Sequence, residues 1–162
     1  MGKRPFHGFE PGSNESFGCG GSSFTDAGME AVVKLPHLKE LRVWHTLNTD
    51  TGTAKLKDAT NLKSVWLAPQ FTTRITDQSL EHLAACKSLE EVKISETRLT
   101  WDWLKHLKSL PNVKKLNLDE TDISETDLVK IKEALPKVEV TGKPPSDQQL
   151  KWINEHRAKP KN

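Results

Sequence analysis

The chain has little cysteine, little net charge and no long apolar run, and each shortage excludes a class of protein. Two cysteines in 162 residues do not make a disulfide scaffold. A formal net charge of +2 gives no general argument for nucleic-acid binding, so no nucleic-acid partner is predicted. No apolar stretch approaches the roughly 20 residues of a membrane-spanning helix. No secretory signal is visible in Met1–Pro5, and the compartment stays unassigned.

The dominant feature of the sequence is a repeat. Each copy has the pattern L-x-x-L-x-L, and successive copies begin 24, 27 and 24 residues apart, at Leu38, Leu62, Leu89 and Val113. A period in the twenties with this pattern is typical of an α/β solenoid. Each copy predicts a strand, a turn and a helix, so the strands should stack into a parallel sheet with the leucines pointing inward.

The same frame sets the predicted boundaries. Residues 14–142 form a degenerate leading strand followed by five repeats, and residues 1–13 form an irregular N-terminal segment. Residues 143–162 form a capping helix over Asp147–Arg157 with a basic tail. The helix of the second repeat, Thr51–Leu56, is poor in helix formers and is expected to be irregular.

Polar residues recur at two repeat positions. A hydroxyl followed by an acid precedes several helices and predicts N-caps at Thr25, Thr49, Thr76 and Ser124. A small polar residue three places after each strand predicts a buried ladder that bonds to backbone groups of the next coil: Ser22, Thr46, Gln70, Thr97 and Thr121. Ordinary turn residues are the alternative explanation for this second set.

These motifs resemble those of leucine-rich-repeat proteins. Ile75–Leu83 resembles their I-T-D-x-G-L-x-x-L unit, and Leu83–Leu89 resembles the cysteine-containing subclass found in F-box-type adaptors. The segment Ala134–Val138 is more similar to the bacterial, planctomycete-type version. The resemblance implies a short right-handed arc with a concave parallel sheet and helices on the convex side. It also implies ligand binding through variable residues of the concave sheet.

The repeat frame assigns the residues of that concave face. Two tryptophans on adjacent strands, Trp44 and Trp66, are unexpected on an exposed sheet, and Arg42 falls beside Trp66. Tryptophan and arginine are enriched in binding hot spots. The predicted partner-binding residues are Arg42, Trp44, Trp66, Lys93, Asn117 and Asp119. Two alternatives stay open: the tryptophans only cover each other and Ala68, or the contact patch is Trp101 and Trp103.

Catalytic and metal sites are not predicted. His82 and His106 stack at equivalent helix positions, but no further ligand follows them in register. Gly18–Ser23 lacks the lysine and spacing of a phosphate-binding loop. Cys19 and Cys86 occupy apolar repeat positions and are expected to be small buried residues rather than a disulfide. No enzyme activity or cofactor is therefore expected.

The predicted function is recognition of a protein partner by a non-catalytic module, through shape and an aromatic anchor on the concave sheet. Two other functions stay open. In the first, the chain is a structural segment of a larger exported or cell-surface protein. In the second, it binds carbohydrate by stacking Trp44 and Trp66 on sugar rings.

Overall fold

The computed structural model describes residues 15–21, 23–69, 74–97 and 104–155, and its central element is a six-stranded parallel sheet. The strands lie in chain order and are β1 (Ser16–Gly20), β2 (Glu40–Trp44), β3 (Ser64–Ala68), β4 (Glu91–Ile94), β5 (Lys115–Asn117) and β6 (Glu139–Thr141). Several predicted features lie outside the described residues: the 1–13 segment, Ser22, Gln70, Trp101, Trp103 and the 156–162 tail.

The register of the sheet is the one that the repeat predicts. Leu41 pairs with Val65, Val65 with Val92, and Val92 with Leu116. These residues are the fourth position of the motif in successive copies, so the coil-on-coil stacking is confirmed. The predicted leading strand coincides with β1, whose Phe17 and Cys19 pair with Leu41 and Val43.

The inward-facing residues of the strands form one continuous core along the molecule. Alternation places every second side chain of a strand on one face of the sheet, and burial of that face against the helices stabilises the stack. The motif residues that are at most 2% exposed are Leu38, Leu41, Val43, Leu62, Val65, Leu67, Leu89, Val92, Ile94, Leu116 and Leu118. Each coil shares this core with its neighbours, which is why one repeat alone buries too little to fold.

In the described part of the chain, helices lie between successive strands and one more follows the last strand. They are α1 (Asp26–Val32), α2 (Asp50–Thr53), α3 (Asp77–Ala84), α4 (Leu104–Leu107), α5 (Glu125–Ala134) and α6 (Asp147–Glu155). The irregular helix expected in the second repeat is the short α2, which continues as a 3₁₀ turn over Ala54–Asp58. Among the described helices, none has both the length and the apolar character needed to cross a bilayer.

The four predicted residues all lie at N-cap positions, and three of them cap through their side chains. The side chains of Thr49, Thr76 and Ser124 accept bonds from backbone amides of the first helical turn. Thr25 also lies at the N-cap position of its helix, but its side chain makes no cap bond.

The acids at the helix starts connect coils, which the sequence frame did not predict. The Asp26 carboxylate accepts from Thr49 N at 2.7 Å and Thr49 Oγ1 at 2.8 Å. One coil later, Asp50 accepts from Thr76 N at 2.9 Å, Thr76 Oγ1 at 2.7 Å and Ser79 Oγ at 2.5 Å. A carboxylate at one helix start therefore holds the start of the next helix.

The polar ladder after the strands is buried, but its bonds are local. Thr46, Thr97 and Thr121 are at most 4% exposed. Thr121 Oγ1 donates to Leu118 O at 2.8 Å, and Thr46 Oγ1 donates to Asn48 Oδ1. The expected bonds of these two hydroxyls to the next coil were therefore wrong, because each hydroxyl finds an acceptor within its own turn.

The C-terminal helix begins at Asp147, as predicted. Leu150, expected to face the last coil, is 39% exposed. Gln149 Nε2 donates to Glu120 Oε1 at 3.1 Å and connects α6 to the turn after β5.

Candidate functional site

The helix-free side of the sheet, here called the open sheet face, carries the candidate site. Residues that pair across neighbouring strands form columns on this face. A central column runs from Gly18 on β1 to Thr141 on β6. A second column lies nearer the C-terminal ends of the strands. The central column reads Gly18, Arg42, Trp66, Lys93, Asn117 and Thr141. The second column reads Gly20, Trp44, Ala68, Ser95 and Asp119.

Trp44 and Trp66 stack on each other on this face. Their ring centroids lie 5.9 Å apart with an interplanar angle of 15°. Both side chains are half-buried, so part of each indole remains open to a partner. An offset stack of this kind adds to the burial of both rings and fixes their orientation.

The glycines of β1 make room for Trp44. A Cβ placed on Gly20 would collide with the indole and would lie 2.8 Å from its Cδ1 atom, while one on Gly18 would lie 3.6 Å from Cζ3. Trp44 therefore lies across the backbone of β1, where a side chain on residue 20 would stand. The first two glycines of the Gly18–Ser23 segment thus form a flat surface on which the indole lies.

Trp66 is held from two further sides. Its Nε1 donates to Ser95 Oγ at 2.9 Å, and Ser95 is only 1% exposed. The ammonium of Lys93 lies 4.4 Å from the centroid of the Trp66 ring, which is cation–π geometry. The indole is thus fixed by a ring, a hydroxyl and a cation.

Arg42 lies beside Trp66 in the register, as predicted, but its charged group points elsewhere. Its Nε donates to Glu40 Oε1 at 2.7 Å, and a second nitrogen, Nη2, pairs with the same oxygen. Lys93, rather than Arg42, is the cation that contacts Trp66. The guanidinium of Arg42 is instead paired with the carboxylate of Glu40 on the same strand.

Asn117 and Asp119 form a separate polar pair on β5 and the turn after it. Asn117 Nδ2 donates to Asp119 Oδ2 at 2.9 Å, and Asp119 N donates to Asn117 Oδ1 at 3.0 Å. Asn117 pairs with Lys93 in the register. The six predicted residues therefore share one face. Among them, Trp66 contacts both Trp44 and Lys93.

A strained turn residue follows the second column in three coils. His45, Glu96 and Glu120 have φ values of 53°, 52° and 61°, in the left-handed region that non-glycine residues rarely adopt. His45 Nε2 lies 2.7 Å from Glu96 Oε2, so the two side chains meet across the intervening coil. Burial raises the pKa of Glu96 above its ordinary value, and the nearby His45 opposes that shift.

The open sheet face contains a shallow groove of about 540 Å³. The groove follows the central column and the one beside it nearer the strand starts, from Glu40 on β2 to Glu139 and Thr141 on β6. Two of its cations are paired with carboxylates, Arg42 with Glu40 and Lys115 with Glu91. The groove is wide and open, which suits a polypeptide better than a small enclosed ligand.

Other reactive groups do not form a site in the described part of the chain. No group of three or more potential metal-binding side chains occurs there. Cys86 is 4% exposed, and burial raises its pKa to about 11, so its thiol stays protonated at neutral pH. Cys19 is half-buried, and both cysteines are free.

The residues that sequence reasoning missed are small ones. Gly18, Gly20 and Ser95 shape the aromatic site, but none carries a conspicuous chemical group. The register could have identified them, because it places Gly20 beside Trp44 and Gly18 beside Arg42. A glycine that pairs with a tryptophan across neighbouring strands can therefore indicate that the indole lies flat on the backbone of the adjacent strand.

Comparison with known proteins identifies the fold. No family model and no curated protein matches the chain. A solved leucine-rich-repeat protein from Leptospira interrogans is similar over 69% of this chain, with a TM-score of 0.50 and 22% sequence identity. Internalin C2 from Listeria monocytogenes covers 84% of this chain and 75% of its own length, with a TM-score of 0.40 and 15% identity.

The chain therefore has the leucine-rich-repeat fold, as predicted, with an open parallel sheet and helices on its other side. It spans 27% of the length of the Leptospira protein. The bacterial, planctomycete-type subclass stays a prediction, because neither solved structure tests it.

Proposed function

We propose that the chain is a non-catalytic recognition module that binds a protein partner through the open sheet face. The contact residues are Trp44, Trp66 and Lys93 as the anchor, with Arg42, Asn117 and Asp119 setting orientation at its margins. One observation carries the proposal: two stacked, half-buried indoles lie on an open sheet, where solvated side chains are the usual occupants.

The fixed position of the anchor favours recognition. Trp66 is held by Ser95 and Lys93, and Trp44 lies across Gly20, so little side-chain freedom is left to lose on binding. Rigid aromatic anchors surrounded by charged and polar residues are the usual anatomy of a protein-binding patch. The open groove beside them extends over the strands from β2 to β6.

A packing role is the second candidate, and one observation favours it. Ala68 and Ser95 are 3% and 1% exposed although both lie on the open sheet face, so the indoles cover this part of the sheet. This reading fits a structural segment without a ligand of its own. The two roles differ in what a tryptophan variant loses: a partner in the first case, and only stability in the second.

The test is affinity capture from the source organism's extract, compared between variants. The purified chain, a Trp44→Ala/Trp66→Ala double variant and a helix-side control (Lys57→Ala/Glu81→Ala) serve as baits, with quantitative mass spectrometry as the readout. Lys57 and Glu81 are exposed and lie on the other side of the molecule from the sheet face.

We expect the native chain and the helix-side control to capture at least one protein in equal amounts, and the double variant to lose that protein. Equal recovery by all three folded baits would contradict the proposal. Capture of glycans rather than protein, checked on a glycan array with the same three baits, would replace it with the carbohydrate-binding alternative.

A further inference from the structure

Lys93 differs from Arg42 and Lys115 of the open sheet face because it has no ion-pair partner among the described residues. Arg42 is paired with Glu40, and Lys115 lies 3.1 Å from Glu91. Within the described residues, no carboxylate lies within 4.0 Å of the Lys93 ammonium. Its described contact is the ring of Trp66, at 4.4 Å from the centroid.

A cation held on an indole face keeps its hydrogen-bond donors available. The π-face of the ring attracts the ammonium but offers no lone pair, whereas each ammonium carries three N–H donors. Lys93 is half-buried, so its charge is screened less than that of a freely exposed lysine. An incoming carboxylate would meet a pre-positioned donor beside an aromatic surface, at little further cost in side-chain entropy.

The surrounding negative charges suit Lys93 to a single localised anion rather than to a polyanion. Glu40, Glu91 and Glu139 line the groove at the strand starts. Glu96 lies in the turn after β4, where its charge interacts with that of Lys93, and Asp119 follows β5. A polyanion laid along this groove would meet these carboxylates at several points and be repelled. A single acid next to a flat apolar group avoids that repulsion.

We infer that the partner presents an aromatic or apolar side chain next to a single acidic side chain, with the apolar group against Trp44 and Trp66 and the carboxylate on Lys93. This inference rests on the proposed function and names the chemistry of the protein segment that the site takes. The carboxylate would displace water from the ammonium while the Trp66 ring stays beneath it.

The probes are three blocked synthetic peptides that share a phenylalanine and differ only in the next residue: aspartate, asparagine or lysine. Each is titrated against the full chain while the indole N–H signals of ¹⁵N-labelled protein are followed by NMR. Trp44→Phe and Trp66→Phe variants assign the two relevant signals among the five tryptophans of the chain.

The expected result is that the aspartate peptide shifts the Trp44 and Trp66 signals and binds about tenfold more tightly than the asparagine peptide, the scale of one charge-assisted hydrogen bond. The lysine peptide binds weakest. In Lys93→Gln the difference between aspartate and asparagine disappears, and in Lys93→Arg it is retained. Lys115→Gln is the matched control on the same face and keeps the full difference.

Two results would overturn the inference. Equal binding of the aspartate and asparagine peptides at the two indoles would remove the acidic requirement and leave the proposed aromatic anchor intact. Absence of any indole shift with all three peptides, together with shifts from a uronic-acid oligosaccharide, would assign the cation to a carbohydrate carboxylate instead. The capture experiment with the double tryptophan variant decides the proposed function separately.

Discussion

At the residue scale, the candidate site depends on the space that small residues leave for the two indoles. Trp44 lies where a side chain of residue 20 would stand, and Trp66 Nε1 uses the hydroxyl of the buried Ser95. A tryptophan on a sheet surface can adopt several rotamers, and these neighbours select one. The orientation of the anchor is therefore set by residues that do not themselves face a partner.

The two glycines of β1 provide a matched pair of variants. Gly20→Ala should displace Trp44, because the added Cβ would collide with its indole, whereas Gly18→Ala adds an ordinary contact at 3.6 Å. We expect Gly20→Ala to change the near-ultraviolet circular dichroism and the Trp44 indole N–H signal, and Gly18→Ala to leave both nearly unchanged. Equal spectra for the two variants would show that Trp44 does not lie on Gly20.

The sequence predicted where the candidate residues lie on the sheet better than it predicted their contacts. Strand periodicity placed Arg42, Trp66 and Lys93 in one column, because the register follows from the repeat alone. Which cation reaches Trp66 depends on competing partners: Glu40 lies within reach of Arg42, and in the described part of the chain no carboxylate pairs with Lys93. Such choices between neighbouring side chains are not encoded in the repeat period.

At the element scale, polar bridges join neighbouring coils on both sides of the core. Asp26 and Asp50 each hold the start of the following helix. On the sheet side, Glu90 pairs with Lys63 at 3.0 Å and with Lys114 at 2.5 Å, so one carboxylate connects three coils. These bridges fix the stacking of units whose apolar contacts alone are similar along the whole molecule.

Removing the Asp50 carboxylate should loosen one junction between coils. Asp50→Ala removes three hydrogen bonds and leaves Ser79 Oγ, a buried group, without this acceptor. Hydrogen bonds to charged groups contribute about 1.5–3 kcal/mol each in buried settings, and partial exposure reduces this, so we expect a loss of about 2–3 kcal/mol in the free energy of unfolding. Urea denaturation measures it, with the exposed Asp58→Ala as control. A loss no larger than that of the control would contradict the bridging role.

Glu90 predicts a specific dependence of stability on acid. Hydrogen bonds with Lys114 and then Lys63 lower its pKa from 4.5 to about 2. A carboxyl whose folded pKa lies below its unfolded pKa stabilises the fold above the unfolded value, and this contribution is lost as the pH falls through the folded value. Stability from Glu90 should therefore decline between about pH 4.5 and 2.

Thermal unfolding of the native chain and of Glu90→Gln checks this decline. The difference in melting temperature between the two proteins should be largest above pH 5 and should shrink toward pH 2, because Glu90 becomes protonated and loses its ion pairs over this range. Glu90 is partly exposed, so solvent screening keeps the effect small. High salt should reduce the difference at neutral pH. A difference that stays constant across this range would mean that the ion pairs with Lys63 and Lys114 do not persist in solution.

At the scale of the whole molecule, the repeat accounts for the fold and much of the surface. One inward column of leucines was enough to predict six stacked strands, because the period fixes the register of every coil. The irregular parts were not predictable in this way. Thr25 lacks the cap bond of its equivalents, and Leu150 of α6 is exposed, because the ends of a solenoid lack the neighbours that impose the repeat geometry.

On the open sheet face, the described contact of Lys93 is an indole ring rather than a carboxylate. Ion pairs occupy Arg42 and Lys115 on the open sheet face. What remains for a partner is a short stretch across β2, β3 and β4 in which two indoles and one cation are exposed together. The proposed function depends on that stretch being an interface rather than a covering for the sheet.

Calorimetric titration of the captured partner against the native chain and the Trp44→Ala/Trp66→Ala variant tests this point most directly, with the melting temperature of each protein measured in the same buffer. The account predicts that the affinity falls by at least about 100-fold, the scale of two hot-spot residues, while the variant still melts cooperatively. An unchanged affinity in a variant whose melting temperature alone has fallen would show that the two indoles serve packing, and would contradict the proposed site.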